Sequence, residues 1–449
     1  MPSPYDDHSK QLEPHPEPHT GALKTHGVLT ATTPAERQRA FVILFISLVC
    51  MGAGQSVIYT ILPPVARQLG LSPLQVTSIF AVSAAIWVFA APFWGRRSDI
   101  WGRKPVMLLG LSAFAISFAA FATSMHAGMA GIIPLFLVFP LMIASRAIFG
   151  TFGSGTSSAA LAYVADRTTP RERLKGVAIT SMAFAFGVTF GPAIGSALAL
   201  VDLLAPFYFI SAMAVASALA IWYFLPERTA PKGAHRPKSS VKWYDERMLP
   251  FALFGLVLSL VASIPTQTIA FYIMDVLKQD THTATQYTSY ALMASSLAAL
   301  FAQFVVVQRF QISARTLTFW GIGIAICSNL LLLVATDFSV VVLALICAGL
   351  GFGMARPGFT SGATLAVSPH EQGAVAGILN AAGAAGFIFG PFVGWMYEQS
   401  PFLPYGFGAV MMVALMAAQR LSPVLYNAGE IPPEPELVDE SNDTPFPKG

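Results

Sequence analysis

The sequence predicts an all-α membrane protein with twelve transmembrane helices in two pseudo-symmetric six-helix bundles. Composition identifies the solvent. Of 449 residues, 55% are hydrophobic and only 11% charged, with a mean hydropathy of +0.62, outside the range of soluble domains. Apolar stretches give the count, because about 20 such residues cross a bilayer's hydrocarbon as helix. Twelve stretches qualify, at about 40–62, 76–95, 105–124, 132–163, 174–200, 206–226, 250–274, 286–308, 316–335, 339–367, 374–397 and 404–424. An internal repeat gives the symmetry. Gly187-x3-Gly191-Pro192-x2-Gly195 recurs as Gly386-x3-Gly390-Pro391-x2-Gly394, and the same offset of 199 pairs Gly150 with Gly349, Pro170 with Pro369 and Phe190 with Phe389.

Residues 1–39 are polar and rich in Pro and His, lack the apolar core of a secretory signal, and are expected to be a disordered cytoplasmic tail. His8, His15, His19 and His26 match no ligand template, so no metal is expected. The first bundle is placed at 40–226 and the second at 250–424, joined by a basic cytoplasmic linker at 227–249. A disordered acidic tail follows at 425–449. Cys50, Cys327 and Cys347 lie in apolar spans without paired spacing and read as small core residues.

Cationic loops stay on the cytoplasmic side. With both termini inside, 22 of the 26 Lys and Arg fall in tails or even-numbered connections, and only Arg67 and Lys278 face outward. Arg146 and Arg356 fall within spans. The net charge of +3 therefore reflects topology, and no nucleic-acid partner is expected.

Between spans 2 and 3 the chain reads Gly95-Arg96-Arg97-Ser98-Asp99-Ile100-Trp101-Gly102-Arg103-Lys104. Its glycines permit a tight turn, and Asp99 and Arg103 can pair as a charged latch. Span 4 carries Arg146-x3-Gly150 followed by Gly153 and Gly155. A guanidinium in hydrocarbon costs at least about 2.5–3.5 kcal/mol unless partnered or hydrated. In span 5, Gly187, Gly191 and Gly195 leave a smooth face for close helix approach, and Pro192 bends the helix, which together suit a pivot.

These three motifs, each in its span, resemble the major facilitator superfamily over about residues 40–424, most closely its twelve-span drug and metabolite:proton antiporters. The resemblance implies a gating latch from Gly95, Asp99, Gly102, Arg103 and Lys104, with the acid approaching the N-terminus of span 11 near Gly373. It implies a coupling role for Arg146, whose other reading is to satisfy carbonyls of a broken neighbouring helix. It also implies that Gly187, Gly191, Pro192 and Gly195, echoed by Gly386, Gly390, Pro391 and Gly394, are hinges. The chain departs from the family at Arg97 and Ile100, where an apolar residue and a cation are usual, and its second-half latch around Arg309 and Arg315 is degenerate.

Arg356 stands near mid-depth in span 10, after Gly349, Gly351 and Gly353 and before Pro357, where a bent or partly unwound helix is expected. An interrupted helix with a charge at that depth points to a transport site, and a cation suits an anionic or zwitterionic substrate. Substrate contact, coupling and structural pairing are its three readings. All 23 Asp and Glu fall in tails, loops or helix ends. Asp166 and Asp275 are the nearest coupling candidates. Gln55 and Tyr59, four apart on one face, are further cavity candidates together with Gln267, Tyr272 and Asn380, each of which can instead serve as interhelical glue.

The sequence therefore predicts export of small organic molecules by alternating access, with proton antiport implied by the resemblance and an organic-anion exchanger or facilitator as the alternative. No span contains His and no phosphate loop is present, so enzymatic activity and cofactors are not expected. The expected partners are a small-molecule substrate, protons and the bilayer. A monomer in a bacterial cytoplasmic (inner) membrane is the expected form.

Overall fold

A computed structural model of the chain describes residues 33–168, 170–227, 245, 248–310, 312–365 and 372–426, with the side chains of 34, 170–175, 177, 365, 372–374, 376 and 380 left out. The expected tails, apart from their inner ends, most of the 227–249 linker and the Asn380 side chain lie outside the described residues.

Two Ser/Thr-Pro-x-Glu/Gln boxes start the first two helices. Thr33 and Glu36 exchange side-chain and backbone bonds at 3.0 and 3.3 Å to open α1 (Pro34–Gln68), and Ser72 and Gln75 do the same for α2 (Pro73–Trp101). The first helix thus begins six residues inside the expected tail. Gly102, at φ 98°, is the single residue separating α2 from α3 (Arg103–Met129). Gly95 lies inside α2, so the turn expected of both glycines rests on Gly102 alone.

The fourth crossing is α4 (Leu135–Ile148), a π-helical turn at Phe149–Gly153 and α5 (Ser154–Asp166). Helices α6 (Pro170–Ala199) and α7 (Ala205–Phe224) complete the first half. In the second half α8 (Leu249–Asp275) precedes α9 (Thr281–Phe301), which continues as a π turn at Ala302–Val307. Then come α10 (Ala314–Val334), α11 (Phe338–Leu365) and an eleventh crossing formed by α12 (Gln372–Ala385), a 3-10 turn at Gly386–Phe389 and α13 (Gly390–Gln399). Helix α14 (Leu403–Leu421) is the twelfth, followed by the short α15 (Pro423–Tyr426). Among the described residues, eleven helices are long and apolar enough to cross a membrane. The twelfth, α14, has 19 residues and closes on Gln419 and Arg420. His126 and His282 fall inside α3 and α9, close to helix ends.

Glycine sets how closely the helices pack. Gly187 lies on the backbone of Val49, Gly52 and Ala53 in α1, and Gly52 lies in turn on Phe184 and Val188 of α6. A Cβ on Gly191 would fall 2.7 Å from the Ala53 carbonyl oxygen, a separation that real side chains do not tolerate. Helix α6 nonetheless runs unbroken through Pro192. The second copy behaves differently. Gly386 packs on Ser259 and Leu260 of α8, the counterpart of α1, whereas Gly390 and Gly394 face Thr77 and the start of α2 in the other half. Pro391 stands at the first turn of α13, where a missing N–H breaks no helical bond.

Crossings alternate in direction, so one end of the bundle, here the near end, carries Pro34, Trp101, Arg103, Asp166 and Phe224, and the far end carries Gln68, Pro73, Asp275 and Gln399.

Candidate functional site

Between the two halves lies a cavity of about 620 Å³, lined in the first half by α1, α2, Arg146, Phe149 and Phe184, and in the second by α8, Gln303, Phe352, Arg356, Phe359, Thr360 and Phe387. Its second-half residues sit in the middle and near-end portions of their helices. Among the described residues, no Asp or Glu lines it.

Arg146 is in the last turn of α4 and only 1% exposed. Its Nη2 reaches Ser83 Oγ at 3.5 Å, and its guanidinium lies 4.6 Å from the Phe149 ring centre and 5.7 Å from that of Phe118. Nε and Nη1 have no hydrogen-bond partner. The π turn that follows shifts the register of the crossing, and Trp94 Nε1–H donates to the Thr151 carbonyl inside it at 2.5 Å. Arg146 does not satisfy the carbonyls of a neighbouring helix, the structural role weighed from the sequence. It meets aromatic faces and the cavity instead.

Tyr59 and Gln55 face the cavity together, with Gln55 Nε2 donating to the Tyr59 hydroxyl at 3.0 Å. The Tyr59 ring packs 4.8 Å from Phe80 and stacks 5.9 Å from Phe387 of the other half. Arg356 opens into the cavity from α11, and no hydrogen bond or ion pair is described for its side chain. A Cβ on Gly383 would lie 3.5 Å from its Nη2, so the guanidinium rests beside that glycine, whose carbonyl is taken by the Ser259 hydroxyl. The unwinding expected around Pro357 does not occur, and α11 is continuous. The irregular turns are in the fourth, eighth and eleventh crossings, where Phe149, Gln303 and Phe387 bring them to the cavity wall.

Two expected cavity residues are elsewhere. Gln267 is fully buried, donates to Ser263 Oγ at 3.0 Å and packs beside Gly390. The Tyr272 hydroxyl lies 2.9 Å from the carbonyls of Leu332 and Ala335 in the second-half interior. Both stand beyond the cavity toward the far end, where the helices close on one another; Tyr272 bonds α8 to the end of α10, whereas the hydrogen bond of Gln267 stays within α8.

Asp166 and Asp275 also lie outside the cavity. At the near end Arg103 holds two carboxylates, Asp99 at 2.5 Å and Asp166 at 3.1 Å, and donates to Ser98 Oγ at 2.7 Å. Lys104 Nζ reaches the Trp222 and Leu225 carbonyls at 2.7 and 2.9 Å, pinning the end of α7. The approach of Asp99 to Gly373 falls on side chains that are not described. Glu227 packs against Gly102, and its carboxylate accepts the Lys104 backbone N–H. Burial raises its pKa, against the lowering effect of that bond and of the Lys104 and Arg167 charges. The Pro226 carbonyl accepts from Arg167 Nη2 at 3.0 Å and from the Tyr163 hydroxyl at 3.2 Å. Nothing in the sequence singled out Glu227.

At the far end the halves are joined directly. Arg67 pairs with Asp275 at 2.5 Å, the Tyr397 hydroxyl donates to Asp275 at 3.1 Å, and the Leu74 N–H donates to Glu398 at 3.0 Å. Thr77 packs under Gly390 and Gly394. The cavity is thus shut from the far end by contacts between halves. Sequence reasoning treated Arg67 only as an outward charge and missed Tyr397 and Glu398, since no local spacing marks a pair 208 residues apart.

Comparison with known proteins follows the same lines. A family model described as Major Facilitator Superfamily matches residues 44–391. The human Major facilitator superfamily domain-containing protein 10 is 36% identical over 151 residues, which cover 33% of this chain and 30% of that protein. Multidrug resistance protein 2 of Bacillus subtilis (strain 168) is 26% identical over 207 residues, or 46% of this chain and 49% of that one. The chain therefore spans half or less of these relatives in the matched segments. Among solved structures, the human organic anion transporter MFSD10 (TETRAN) superposes with a TM-score of 0.60 at 20% identity, covering 85% of this chain and 99% of the other. That likeness is one of fold.

Proposed function

The chain belongs to the Major Facilitator Superfamily, and from that premise we propose that it is a secondary transporter that exports small organic molecules by alternating access. The observation that carries the proposal is the cavity between the halves, with aromatic side chains from both halves in its wall and shut at the far end by Arg67–Asp275 and Leu74–Glu398. With the near end cytoplasmic, as the Lys and Arg distribution favours, this is the inward-open state of a monomer in a bacterial cytoplasmic membrane. Residues 40–226 and 250–424 are the two rocking units, the linker at 227–249 joins them, and Gly187, Gly191, Pro192 and Gly195 of α6 with Gly386, Gly390, Pro391 and Gly394 of the eleventh crossing are their pivots. Export is supported by likeness to a multidrug resistance protein.

Two couplings suit such an exporter. Proton antiport is supported by the motif resemblance, with Asp166 and Asp275 as its titratable groups, both held in arginine latches. Exchange or facilitated movement of an organic anion is supported by Arg146 and Arg356 in a cavity wall without carboxylates among the described residues, and by likeness to a protein described as an organic anion transporter.

Inside-out vesicles from cells making the full chain test the reading. A panel of fluorescent cationic, neutral and anionic compounds is expected to include at least one that accumulates faster than in vesicles carrying Asp99→Asn. Equal accumulation for the whole panel overturns the proposal. Collapse of accumulation by a protonophore supports antiport, and persistence supports movement of an anion.

A further inference from the structure

We infer that the cavity takes organic anions and that its unpaired cations make a bound anion the condition for reorientation, so that flux is anion-for-anion exchange. The inference rests on the transport reading above and adds the substrate class and the coupling to it.

The argument starts from charge. Arg146 belongs to the first half and Arg356 to the second, and both face one cavity in which no carboxylate lines the wall among the described residues. Arg146 is 1% exposed, with Nε and Nη1 unpartnered, and its one hydrogen bond, to Ser83, is long at 3.5 Å. The rings of Phe118 and Phe149 offer it π faces, which leave the N–H groups at its edge unused. Arg356 lies beside Gly383, which offers no side chain and whose carbonyl already accepts from Ser259.

Reorientation requires the near end to close around this cavity, taking water from the exposed Arg356 guanidinium while the Arg146 guanidinium is already buried. Unpaired charges are strongly disfavoured away from water, and their mutual repulsion rises as the surrounding dielectric falls. Deprotonation gives no relief, because a guanidinium stays charged. The neutral hydroxyl and amide groups of Tyr59, Gln55, Gln303 and Thr360 supply no counter-charge. A bound anion supplies one, with adjacent oxygens that the free N–H groups of Arg146 can grip. The empty carrier is therefore held at the near-open state, and only the loaded carrier crosses, in either direction.

The remaining wall defines the rest of the ligand. Trp87, Phe149, Phe359 and Phe387 suit a flat apolar body, and 620 Å³ holds a compound of ordinary drug size. The class is an aromatic organic anion, either carboxylate or sulfonate.

The test uses the full chain in proteoliposomes, with 2-naphthalenesulfonate as a permanently charged probe and pH and potential clamped equal on both sides. Liposomes loaded with unlabelled probe are expected to take up labelled probe about ten-fold faster than liposomes holding only sulfate buffer. Arg356→Gln is expected to abolish that difference, and Arg356→Lys to retain part of it. Equal uptake with and without internal probe overturns exchange and leaves the transport reading standing. A folded chain that moves a neutral or cationic dye but not the sulfonate overturns the anionic class. A thermal-shift comparison guards against misfolded variants. The sulfonate is expected to raise the melting temperature of the unaltered chain and not that of Arg356→Gln. An equal rise with neutral 2-naphthalenesulfonamide, or no rise with the sulfonate, overturns the inference.

Discussion

Arg67 and Asp275 meet at 2.5 Å across the far end of the bundle, one at the end of α1 and the other at the end of α8, so that an ion pair helps to tie the two halves together. Its members are 40% and 31% exposed, and pairs so exposed contribute up to about 1 kcal/mol. Asp275→Asn is therefore expected to raise the far-open population by up to about five-fold without unfolding the protein. A cysteine at Phe80, in a chain lacking Cys50, Cys327 and Cys347, reports it through its rate of labelling by an impermeant maleimide from the far side. The charge-reversed pair Arg67→Asp with Asp275→Arg is expected to slow the labelling again. Unchanged labelling in Asp275→Asn shows that Leu74–Glu398 and the Thr77 contacts suffice to hold the end shut.

The α1–α6 seam makes a contrast between two glycines of one motif. A Cβ on Gly191 would lie 2.7 Å from the Ala53 carbonyl oxygen, whereas one on Gly195 meets nothing nearer than a Val57 methyl at 3.2 Å. Gly191→Ala is expected to destabilise the protein by about 1–3 kcal/mol, as overpacking does, and to stop transport. Gly195→Ala is expected to stay within about 1 kcal/mol. Thermal unfolding in detergent, beside vesicle transport, separates the two.

The contrast also shows how far the fold was legible. Lipid demands long apolar helices that satisfy their own backbone, so the twelve stretches and the repeat at Gly187 and Gly386 stood out. The cap of Thr33 with Glu36 follows an equally local rule, yet the reading of residues 1–39 as a tail passed over it. Arg146 and Arg356 were legible as exceptions, because a charge in hydrocarbon needs a reason. Depth and facing were not. Gln267 and Tyr272 sit on the same helix as cavity-lining Thr266, yet close-packed neighbours turn them into the protein interior. The irregular turns escaped as well, since Pro357 is accommodated within α11 while Phe149–Gly153, with no proline, becomes a π turn. Pairs such as Arg67–Asp275 depend on how the halves meet, which no local pattern encodes.

Glu227 offers a pH signature at the start of the linker. Burial raises its pKa above the ordinary 4.5, outweighing the Lys104 N–H and the Lys104 and Arg167 charges. The folded protein thus binds this proton more tightly than the unfolded chain does. The contribution to stability is complete below about pH 4.5 and is lost as pH rises through the raised value. Glu227→Gln keeps an acceptor for the Lys104 N–H and is expected to flatten the melting temperature in the range just above pH 4.5. An equal pH slope in the variant assigns that dependence to another group.

Arg103 serves two carboxylates at once, Asp99 one turn back on α2 and Asp166 at the end of α5, and only a forked guanidinium can address both while also donating to Ser98. Lysine supplies the charge without the fork. Arg103→Lys is therefore expected to lose most transport although the net charge is kept, and to approach Arg103→Ala in effect. Asp99→Asn and Asp166→Asn share one partner, so their effects on transport are expected to be non-additive, the double variant losing little more than the worse single one. Initial rates in inside-out vesicles, normalised to folded protein, supply the cycle. Additive losses would mean that the two carboxylates act separately, Asp99 on the opposite half and Asp166 within its own.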